Sequence, residues 1–259
     1  MLTDYHMHTI LSDGKDEHET IIQAAINKGF DEIGFTDHIC HILVDWRMEP
    51  DLIPLMIEKI QTLKHKFRDK INIKFGIEVD FIPGDEQKIA DTISQIAVDY
   101  VIGSIHYIGN WNYDSDPSKF EDKSIYQLYE LYFQTIQESA RSGLFDIIGH
   151  PDLIKKYGYY PEEDITSLYK DTAAVFKNSN VVIELNTNGK NKACKDFYPA
   201  LPFLKICHNY GVPITLSSDA HKAKLVGQYF NEAISLLRQT GYQKIAIFNK
   251  RKRSFIDLP

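Results

Sequence analysis

Short apolar runs alternate with longer amphipathic stretches from one end of the chain to the other. The apolar runs have the length of buried strands, and the stretches between them have the mixed character of surface helices. The predicted strands are 2–8, 32–36, 73–79, 100–104, 145–149, 181–186 and 212–217, and the predicted helices are 18–28, 51–69, 85–96, 122–142, 162–178, 199–210 and 224–240. Such alternation is typical of parallel strands joined by helices, so we predict an α/β fold of barrel type with seven strand-helix units.

The C-terminal part of the chain adds a further apolar piece. Residues 244–248 are a candidate for an eighth strand, with residues 254–258 packing behind it. The longest predicted loop is 104–121, and long loops in compact domains tend to be functional. Because no repeat, low-complexity tract or linker divides the sequence, we expect a single domain over residues 1–259.

Composition limits the classes of function. The chain has 259 residues, of which 43% are hydrophobic, enough for a large core in one domain. Its formal net charge of -7 lacks the broad positive field that neutralises a phosphate backbone, so we expect no nucleic-acid partner. The short run Lys250-Arg251-Lys252-Arg253 does not outweigh this, because short basic runs are frequent in proteins that bind no nucleic acid.

Cysteine usage and the first residues indicate a compartment. The three cysteines are odd in number and have no CxxC spacing, which fits a reducing environment. Asp4, His6 and His8 interrupt the segment where a signal peptide needs an apolar stretch. No run approaches the roughly 18 apolar residues of a membrane helix. We therefore expect a soluble cytoplasmic protein without a membrane partner.

Ionisable residues gather at the ends of the predicted strands. In a parallel barrel the carboxyl ends of the strands share one face, and active sites are built there. The nine residues concerned are His6, His8, Asp13, His38, Glu78, His106, His150, Asp219 and His221. His6 and His8 are two apart on a strand, so both imidazoles point to the same side of the sheet. A mixed set of His and carboxylates suits zinc, manganese or iron better than magnesium or calcium.

Six segments resemble one known family. They are Asp4-Tyr5-His6-Met7-His8-Thr9, Thr36-Asp37-His38, Gly76-Ile77-Glu78, Gly103-Ser104-Ile105-His106, Gly149-His150-Pro151-Asp152 and Ser218-Asp219-Ala220-His221. In this order they are similar to the motifs of the polymerase and histidinol phosphatase (PHP) superfamily. The segment Glu184-Leu185-Asn186-Thr187-Asn188-Gly189 and the chain length most resemble the stand-alone histidinol phosphatases. That resemblance implies a distorted, TIM-like (β/α)7 barrel with a trinuclear metal centre at the carboxyl ends of its strands.

The resemblance also implies a division of the ligands among two or three divalent ions of zinc, manganese or iron. One ion would take His6, His8, Glu78 and Asp219, a second would share Glu78 and add His106 and His150, and a third would take Asp13, His38 and His221. The implied reaction is hydrolysis of L-histidinol phosphate to L-histidinol and phosphate by a metal-activated hydroxide, in histidine biosynthesis. Asp219, His221 and Glu78 are the expected catalytic residues.

The substrate contacts are less defined by the sequence. Asn191 stands where an Arg that holds the phosphate is common in these phosphatases, which weakens the match at this point. Lys190 and Lys192 beside it supply point charges but not the bidentate fork of Arg. The other predicted substrate contacts, on loops or strand ends of the active face, are His41, Arg47, Lys155 and Glu184.

Other functions fit parts of the pattern. A PHP-type phosphoesterase acting on a nucleotide or sugar phosphate uses the same metal set. A nuclease of the superfamily would need polymerase domains or a strong basic groove, and the sequence has neither. A metal-dependent amidohydrolase usually has a bridging Lys where this chain has Glu78. A metal-binding sensor or scaffold without turnover is the non-catalytic alternative.

Overall fold

The structure is a computed structural model that describes the backbone throughout and the side chains of residues 1–121 and 123–259. The strands are β1 (Thr3–Asp4), β2 (Glu32–Phe35), β3 (His38–Ile39), β4 (Asn72–Asp80), β5 (Tyr100–Ser104), β6 (Tyr107–Ile108), β7 (Trp111–Asn112), β8 (Ile147–Ile148), β9 (Val182–Asn186), β10 (Ile214–Ser217), β11 (Lys244–Asn249) and β12 (Lys252–Asp257). The helices are α1 (His18–Asn27), α2 (Ile53–Phe67), α3 (Glu86–Ser94), α4 (Lys119–Asp122), α5 (Ile125–Arg141), α6 (Thr166–Asn178), α7 (Leu201–Asn209) and α8 (Phe230–Thr240).

The main sheet is a nearly closed barrel. Within the described residues, seven parallel strands follow the order β1-β2-β4-β5-β8-β9-β10, and β3 continues the line of β2 along β4. A parallel bridge between Met7 and Ala220 joins the two outer strands, where the backbone N–H of His8 donates to the carbonyl of Ala220 at 3.0 Å. The predicted α/β barrel is confirmed.

Apolar side chains pack on both sides of this wall. The larger core lies between the strands and the surrounding helices, as expected for strands buried on both faces. A smaller cluster fills the barrel itself and includes Tyr5, Tyr100 and Ile102. The rings of Tyr5 and Tyr100 stack with centroids 4.9 Å apart. This aromatic layer blocks the barrel below the strand ends. The polar site above it is therefore a cup that is closed at its base and open at the carboxyl face.

The predicted eighth strand forms but does not join the barrel. β11 pairs antiparallel with β12, and its residues Ala246 and Phe248 pack on the aromatic layer from the amino-terminal mouth. The two turn residues Lys250 and Arg251 both have a positive φ, the geometry of a tight hairpin turn. That turn reverses the chain at once, so residues 252–257 pair with β11 instead of packing loosely behind it.

Most predicted helices agree with the observed bounds to within a few residues, whereas the strands β1 and β8 are shorter than 2–8 and 145–149. The two-residue strand β3 and the β6–β7 hairpin within the loop 104–121 were not predicted. Among the helices that the structure describes, none combines the length and apolar character needed to span a membrane.

Candidate metal centre

All nine strand-end residues predicted to bind metal meet at the carboxyl face of the barrel. Seven of them line a pocket of about 420 Å³ there, namely Asp13, His38, Glu78, His106, His150, Asp219 and His221. The remaining two, His6 and His8, are fully buried beside Glu78 in the floor. Residues up to 215 positions apart in the sequence therefore share one site.

The carboxylate of Glu78 stands at the middle of the imidazoles. Its Oε2 lies 2.8 Å from His38 Nδ1, 3.2 Å from His6 Nε2 and 3.5 Å from His8 Nε2. Its Oε1 lies 3.0 Å from Nε2 of His150. Because the two oxygens face different imidazoles, Glu78 has the position of a group shared between two ion sites.

The side chains form four overlapping groups whose ligand atoms lie within 4.8 Å of one another. These groups are His6, His8 and Glu78; Glu78, His106 and His150; His8, Asp13, His38 and His221; and His38, Asp80 and His106. The first three correspond closely to the sets implied by the sequence resemblance. The fourth brings in Asp80, which was not predicted.

A tight turn places Asp13 at the pocket. A Cβ added to Gly14 would lie 2.4 Å from the carbonyl oxygen of His8, so the turn packs directly on the chain that leaves β1. The buried carboxylate of Asp37 accepts hydrogen bonds from the Thr9 N–H at 2.8 Å and the Ser12 hydroxyl at 2.6 Å. These bonds hold the segment before the turn, and Asp13 Oδ2 then lies 3.0 Å from His221 Nε2.

Two members of the cluster have a left-handed backbone. His150 has φ 26° and Asp219 has φ 51°, and each lies two residues beyond the end of a barrel strand. A non-glycine residue in this region costs of the order of 1 to 3 kcal/mol and persists only where its surroundings enforce it. Such strain clusters at functional sites, and here it turns both side chains into the cup.

Buried carboxylates orient the imidazoles from behind. Glu184 Oε1 lies 2.7 Å from His6 Nδ1, and Oε2 of the same residue accepts a hydrogen bond from the backbone N–H of His150 at 2.8 Å. Asp80 Oδ1 lies 2.8 Å from His106 Nδ1. Both pairs leave the Nε2 atoms of His6 and His106 directed at the cup. Carboxylate-histidine pairs of this kind fix the ring and its tautomer in metal sites.

The charges of the site favour cations. Burial opposes protonation of His6, but the carboxylates of Glu184, Glu78 and Asp219 outweigh it and raise the His6 pKa well above its usual value. Burial raises the pKa of Glu78, yet the charges of His6 and His38 reverse this and hold that pKa well below its usual value. Burial, assisted by His221 and His38, lowers the His8 pKa to about 3, so His8 is neutral and one of its ring nitrogens offers a lone pair. The carboxylates thus remain ionised and attract positive charge.

Unpaired polar atoms test whether a metal fits. Among the described residues, buried atoms without a hydrogen-bond partner include His6 Nε2 and both ring nitrogens of His8, and Glu78 Oε2 makes no hydrogen bond of good geometry although His38 Nδ1 lies 2.8 Å away. Buried polar atoms in proteins are nearly always paired, so this concentration in one cup requires an explanation. A divalent cation accepts the lone pair of one ring nitrogen of each neutral imidazole and those of a carboxylate oxygen, and mixed imidazole and carboxylate donors suit zinc, manganese or iron. The residues fit a metal centre.

Polar side chains ring the open side of the cup. Lys156 donates to the Asp114 carboxylate at 2.6 Å, and both residues line the pocket with Lys192. The Trp46 ring stands edge-on to His38 with centroids 4.9 Å apart. The rim therefore offers two cations, one carboxylate and one flat apolar surface.

Comparison with known proteins identifies the family of the chain. The sequence profile of the PHP domain matches residues 4–188. The chain belongs to the PHP family. The match covers seven of the nine clustered residues and leaves Asp219 and His221 beyond its end.

Individual PHP relatives cover nearly the whole chain. A probable histidinol-phosphatase of Deinococcus radiodurans is 33% identical, over 97% of this chain and 98% of the relative. A histidinol-phosphatase of Lactococcus lactis is 27% identical, over 96% and 95%. The crystal structure of the L. lactis histidinol phosphate phosphatase in complex with zinc, L-histidinol and phosphate has a TM-score of 0.87 at 24% identity, and the alignment covers 98% of both chains.

Several predicted substrate contacts lie away from the PHP pocket. Lys155 is buried and pairs with Asp152 at 2.9 Å and Asp196 at 3.0 Å, so it serves the core. The others are also engaged elsewhere: Lys190 with Glu232, Arg47 with Glu49 and two backbone carbonyls, and His41 with Thr92. Of the predicted cations, Lys192 lines the pocket. Glu184 lies behind His6 and orients the His6 ring. Its side chain is fully buried and does not face the pocket.

The PHP site also contains residues that the sequence did not single out for it. Asp80 and Glu78 are two apart on β4, so the strand period that pairs His6 with His8 also indicates Asp80. No sequence pattern indicated Lys156 or Asp114. Lys156 follows a similar lysine, and Asp114 lies in the loop 104–121.

Replacing Glu184 with Gln is expected to weaken metal binding by about 10 to 100-fold, the usual effect of losing a carboxylate behind a ligating histidine. Asp80→Asn is expected to act in the same way through His106. Metal affinity by competition with a chelating dye measures both, and excess metal restores activity if the role is orientation. Glu138→Gln on the exposed face of α5 is the matched control. Affinity equal to that of the control would contradict the orienting role.

Proposed function

We propose that the protein is a metal-dependent phosphomonoesterase that hydrolyses L-histidinol phosphate to L-histidinol and inorganic phosphate, a reaction of histidine biosynthesis. The observation that carries the proposal is the cup of imidazoles around Glu78, whose two oxygens face different groups of ligand atoms. The relatives named histidinol-phosphatase support the substrate, because they match the chain over nearly its whole length.

The metal ligands of this proposal are the nine clustered residues. Two or three ions of zinc, manganese or iron would be held by three sets: His6, His8, Glu78 and Asp219; Glu78, His106 and His150; and Asp13, His38 and His221. Support comes from the short distances within each group of ligand atoms. When bound, such ions neutralise the phosphoryl oxygens and activate a water near neutral pH.

The chain's own residues bind and orient the substrate. A phosphomonoester carries close to two negative charges at pH 7, and Lys156 and Lys192 at the rim attract it. The carboxylate of Asp114 suits the substrate ammonium, and the Trp46 face suits a flat imidazole. The pocket volume of about 420 Å³ is in the range of small-molecule sites.

Asp219 and His221 remain the proposed partners of the leaving group, with Glu78 as the central carboxylate. The side chain of His221 is 28% exposed and that of Asp219 is 12% exposed, whereas His6 and His8 are fully buried. The two residues thus lie on the open side of the cup, where the alcohol departs.

The proposal treats residues 1–259 as one PHP-type domain in the cytoplasm. The continuous barrel with its C-terminal hairpin on the amino-terminal mouth supports one domain. The cysteines Cys40, Cys194 and Cys207 are free thiols, which fits a reducing compartment.

A comparison of kcat/KM across phosphate esters tests the substrate. The zinc- or manganese-loaded enzyme is expected to prefer histidinol phosphate strongly over p-nitrophenyl phosphate, a nucleoside monophosphate and a sugar phosphate. Similar efficiency on all four would remove the specific claim but leave the phosphomonoesterase. No turnover of any ester with full metal content would instead indicate a metal-binding sensor or scaffold.

Replacing Lys156 with Met is expected to raise KM about tenfold with a smaller change in kcat, because a charge-assisted hydrogen bond to phosphate is lost. Steady-state kinetics on histidinol phosphate measures the change. Lys190→Met, which removes the same charge outside the pocket, is expected to leave KM unchanged. Asp114→Asn and the double variant Lys156→Met/Asp114→Asn complete a double-mutant cycle, which separates the effect of an unpaired Asp114 from the loss of the Lys156 charge. A KM for Lys156→Met equal to that of the control would remove Lys156 from phosphate binding.

A further inference from the structure

A second pocket lies at the opposite end of the barrel from the metal centre. Its volume is about 240 Å³, and it is lined by Lys64, Arg68, Ile71, Asn72, Ile73, Lys74, Asp99 and Asn249. Asn72 and Asp99 stand at, or just before, the first residues of β4 and β5, so the pocket opens at the amino-terminal mouth. Active sites of such barrels are built at the other face, and the proposed phosphatase reaction makes no use of this pocket.

The lining concentrates positive charge in a chain whose formal net charge is -7. Three cations, Lys64, Arg68 and Lys74, line the pocket against the single carboxylate of Asp99. The turn between β11 and β12 lies at its edge, where the backbone N–H of Lys250 donates to Asp99 Oδ1 at 3.2 Å.

The ion pairs within the pocket leave cationic capacity. Asp99 is held by Lys64 at 2.8 Å and by the backbone N–H of Phe75 at 2.9 Å, so its charge is already compensated. The Arg68 guanidinium has a neighbouring carboxylate only at 3.5 Å, from the fully solvated Asp69, and such a pair contributes little. Arg68 is thus free to present its planar fork to an anion.

Lys74 is the strongest indication of a ligand. Its side chain is 11% exposed, and it belongs to the same face of β4 as Glu78, so it points into the barrel from below. Its Nζ lies 3.5 Å from Glu32 Oε2, longer than a good hydrogen bond. Glu32 already accepts hydrogen bonds from Tyr5 and Asn72. A buried ammonium with so loose a partner stabilises the fold poorly but suits an incoming anion.

We propose that this pocket is a binding site for a small phosphate dianion, held by the Arg68 fork and the ammonium groups of Lys64 and Lys74. The lining charge is +2, and Glu32 beside Lys74 lowers it to +1, so the pocket remains positive and attracts an anion. Arg matches the geometry of phosphate oxygens through two parallel hydrogen bonds. The volume exceeds that of inorganic phosphate, and the room next to Ile71 and Ile73 admits an organic part.

Calorimetric titration of the zinc-loaded full-length protein with inorganic phosphate tests the site. Two classes of phosphate site are expected, the catalytic pocket and this one. Arg68→Gln and Lys74→Met are expected to weaken one class about tenfold or more, the effect of losing a charged hydrogen-bond donor. Lys70→Gln, an exposed residue outside the lining, is the matched control and keeps both classes. Arg68 is exposed on the surface, so its variant separates binding from folding.

The outcomes divide clearly. Product inhibition by phosphate that is unchanged in Arg68→Gln, together with loss of one class, supports the site. A repeat with phenylphosphonate distinguishes the sources: tighter binding than phosphate identifies an organic phosphate, and weaker binding identifies the free anion. One class of site in the unaltered protein, or equal losses in Arg68→Gln and Lys70→Gln, overturns the proposal. Because titration needs no turnover, this failure leaves the proposed function standing.

Discussion

Replacing Glu78 with Gln is expected to lower kcat/KM for histidinol phosphate by about 10³-fold or more. A cation contributes several kcal/mol to a phosphoryl-transfer transition state, and about 4 kcal/mol corresponds to 10³-fold in rate. Gln removes the charge that lies within 3.5 Å of four imidazoles and directs an amide N–H₂ at one of the groups. Kinetics with metal content by mass spectrometry measures the loss of activity and of metal together.

Ser104→Ala is the control for that experiment. Its hydroxyl donates to Glu78 Oε1 at 2.5 Å, so the variant perturbs the same carboxylate without removing its charge. A loss of less than about tenfold is expected, since a single hydrogen bond contributes about 1 kcal/mol. A Glu78→Gln enzyme with full metal content and normal turnover would contradict the shared-ligand position of Glu78.

Removal of the metals by a chelator is expected to abolish turnover and to lower the thermal midpoint. Ligands that bind the folded state alone stabilise it by about 2.7 kcal/mol at a concentration one hundred times Kd. For a chain of this size, that corresponds to a fall of roughly 5 to 10 °C. Activity assays and calorimetric scans measure both effects, and zinc or manganese is expected to restore them better than magnesium, which prefers oxygen ligands.

The affinity of the site for metal is also expected to depend on pH. Without metal, burial opposes protonation of His6 and His38, but the surrounding carboxylates outweigh it: they raise the pKa of His6 well above its usual value and also raise that of His38, which favours protons on both rings. Metal binding must displace these protons, and metal affinity therefore falls as the pH is lowered. Calorimetry in two buffers of different ionisation enthalpy measures the protons released. Chelation that changes neither activity nor stability would contradict the metal centre.

The sequence predicted those parts of the fold and site that depend on periodicity. β5 has the predicted bounds, and the strand-end position of the nine residues was sufficient to predict that they converge. The strands β3, β6 and β7 have two residues each, too few for a period to be visible. The antiparallel pairing of β11 depends on the backbone of Lys250 and Arg251, residues that are uncommon in a left-handed turn.

The roles of neighbouring lysines show where sequence reasoning ends. Lys155 and Lys156 are alike in type and position, yet Lys155 turns inward to Asp152 and Asp196 while Lys156 turns to the pocket. Glu184 was predicted to contact substrate because of its segment, but the distance to His6 makes it an orienting group. In both cases the deciding quantity is the direction of a side chain, which follows from packing between distant segments.

Anomalous scattering at the zinc and manganese edges, from crystals of the protein as purified, tests the metal centre most directly. The account predicts two or three peaks in the cup, at about 2.0 to 2.2 Å from imidazole nitrogens and carboxylate oxygens, with Glu78 in contact with more than one. Absence of a peak among His6, Glu78, His150 and Asp219 at either edge, or peaks confined to the outer surface, would contradict it.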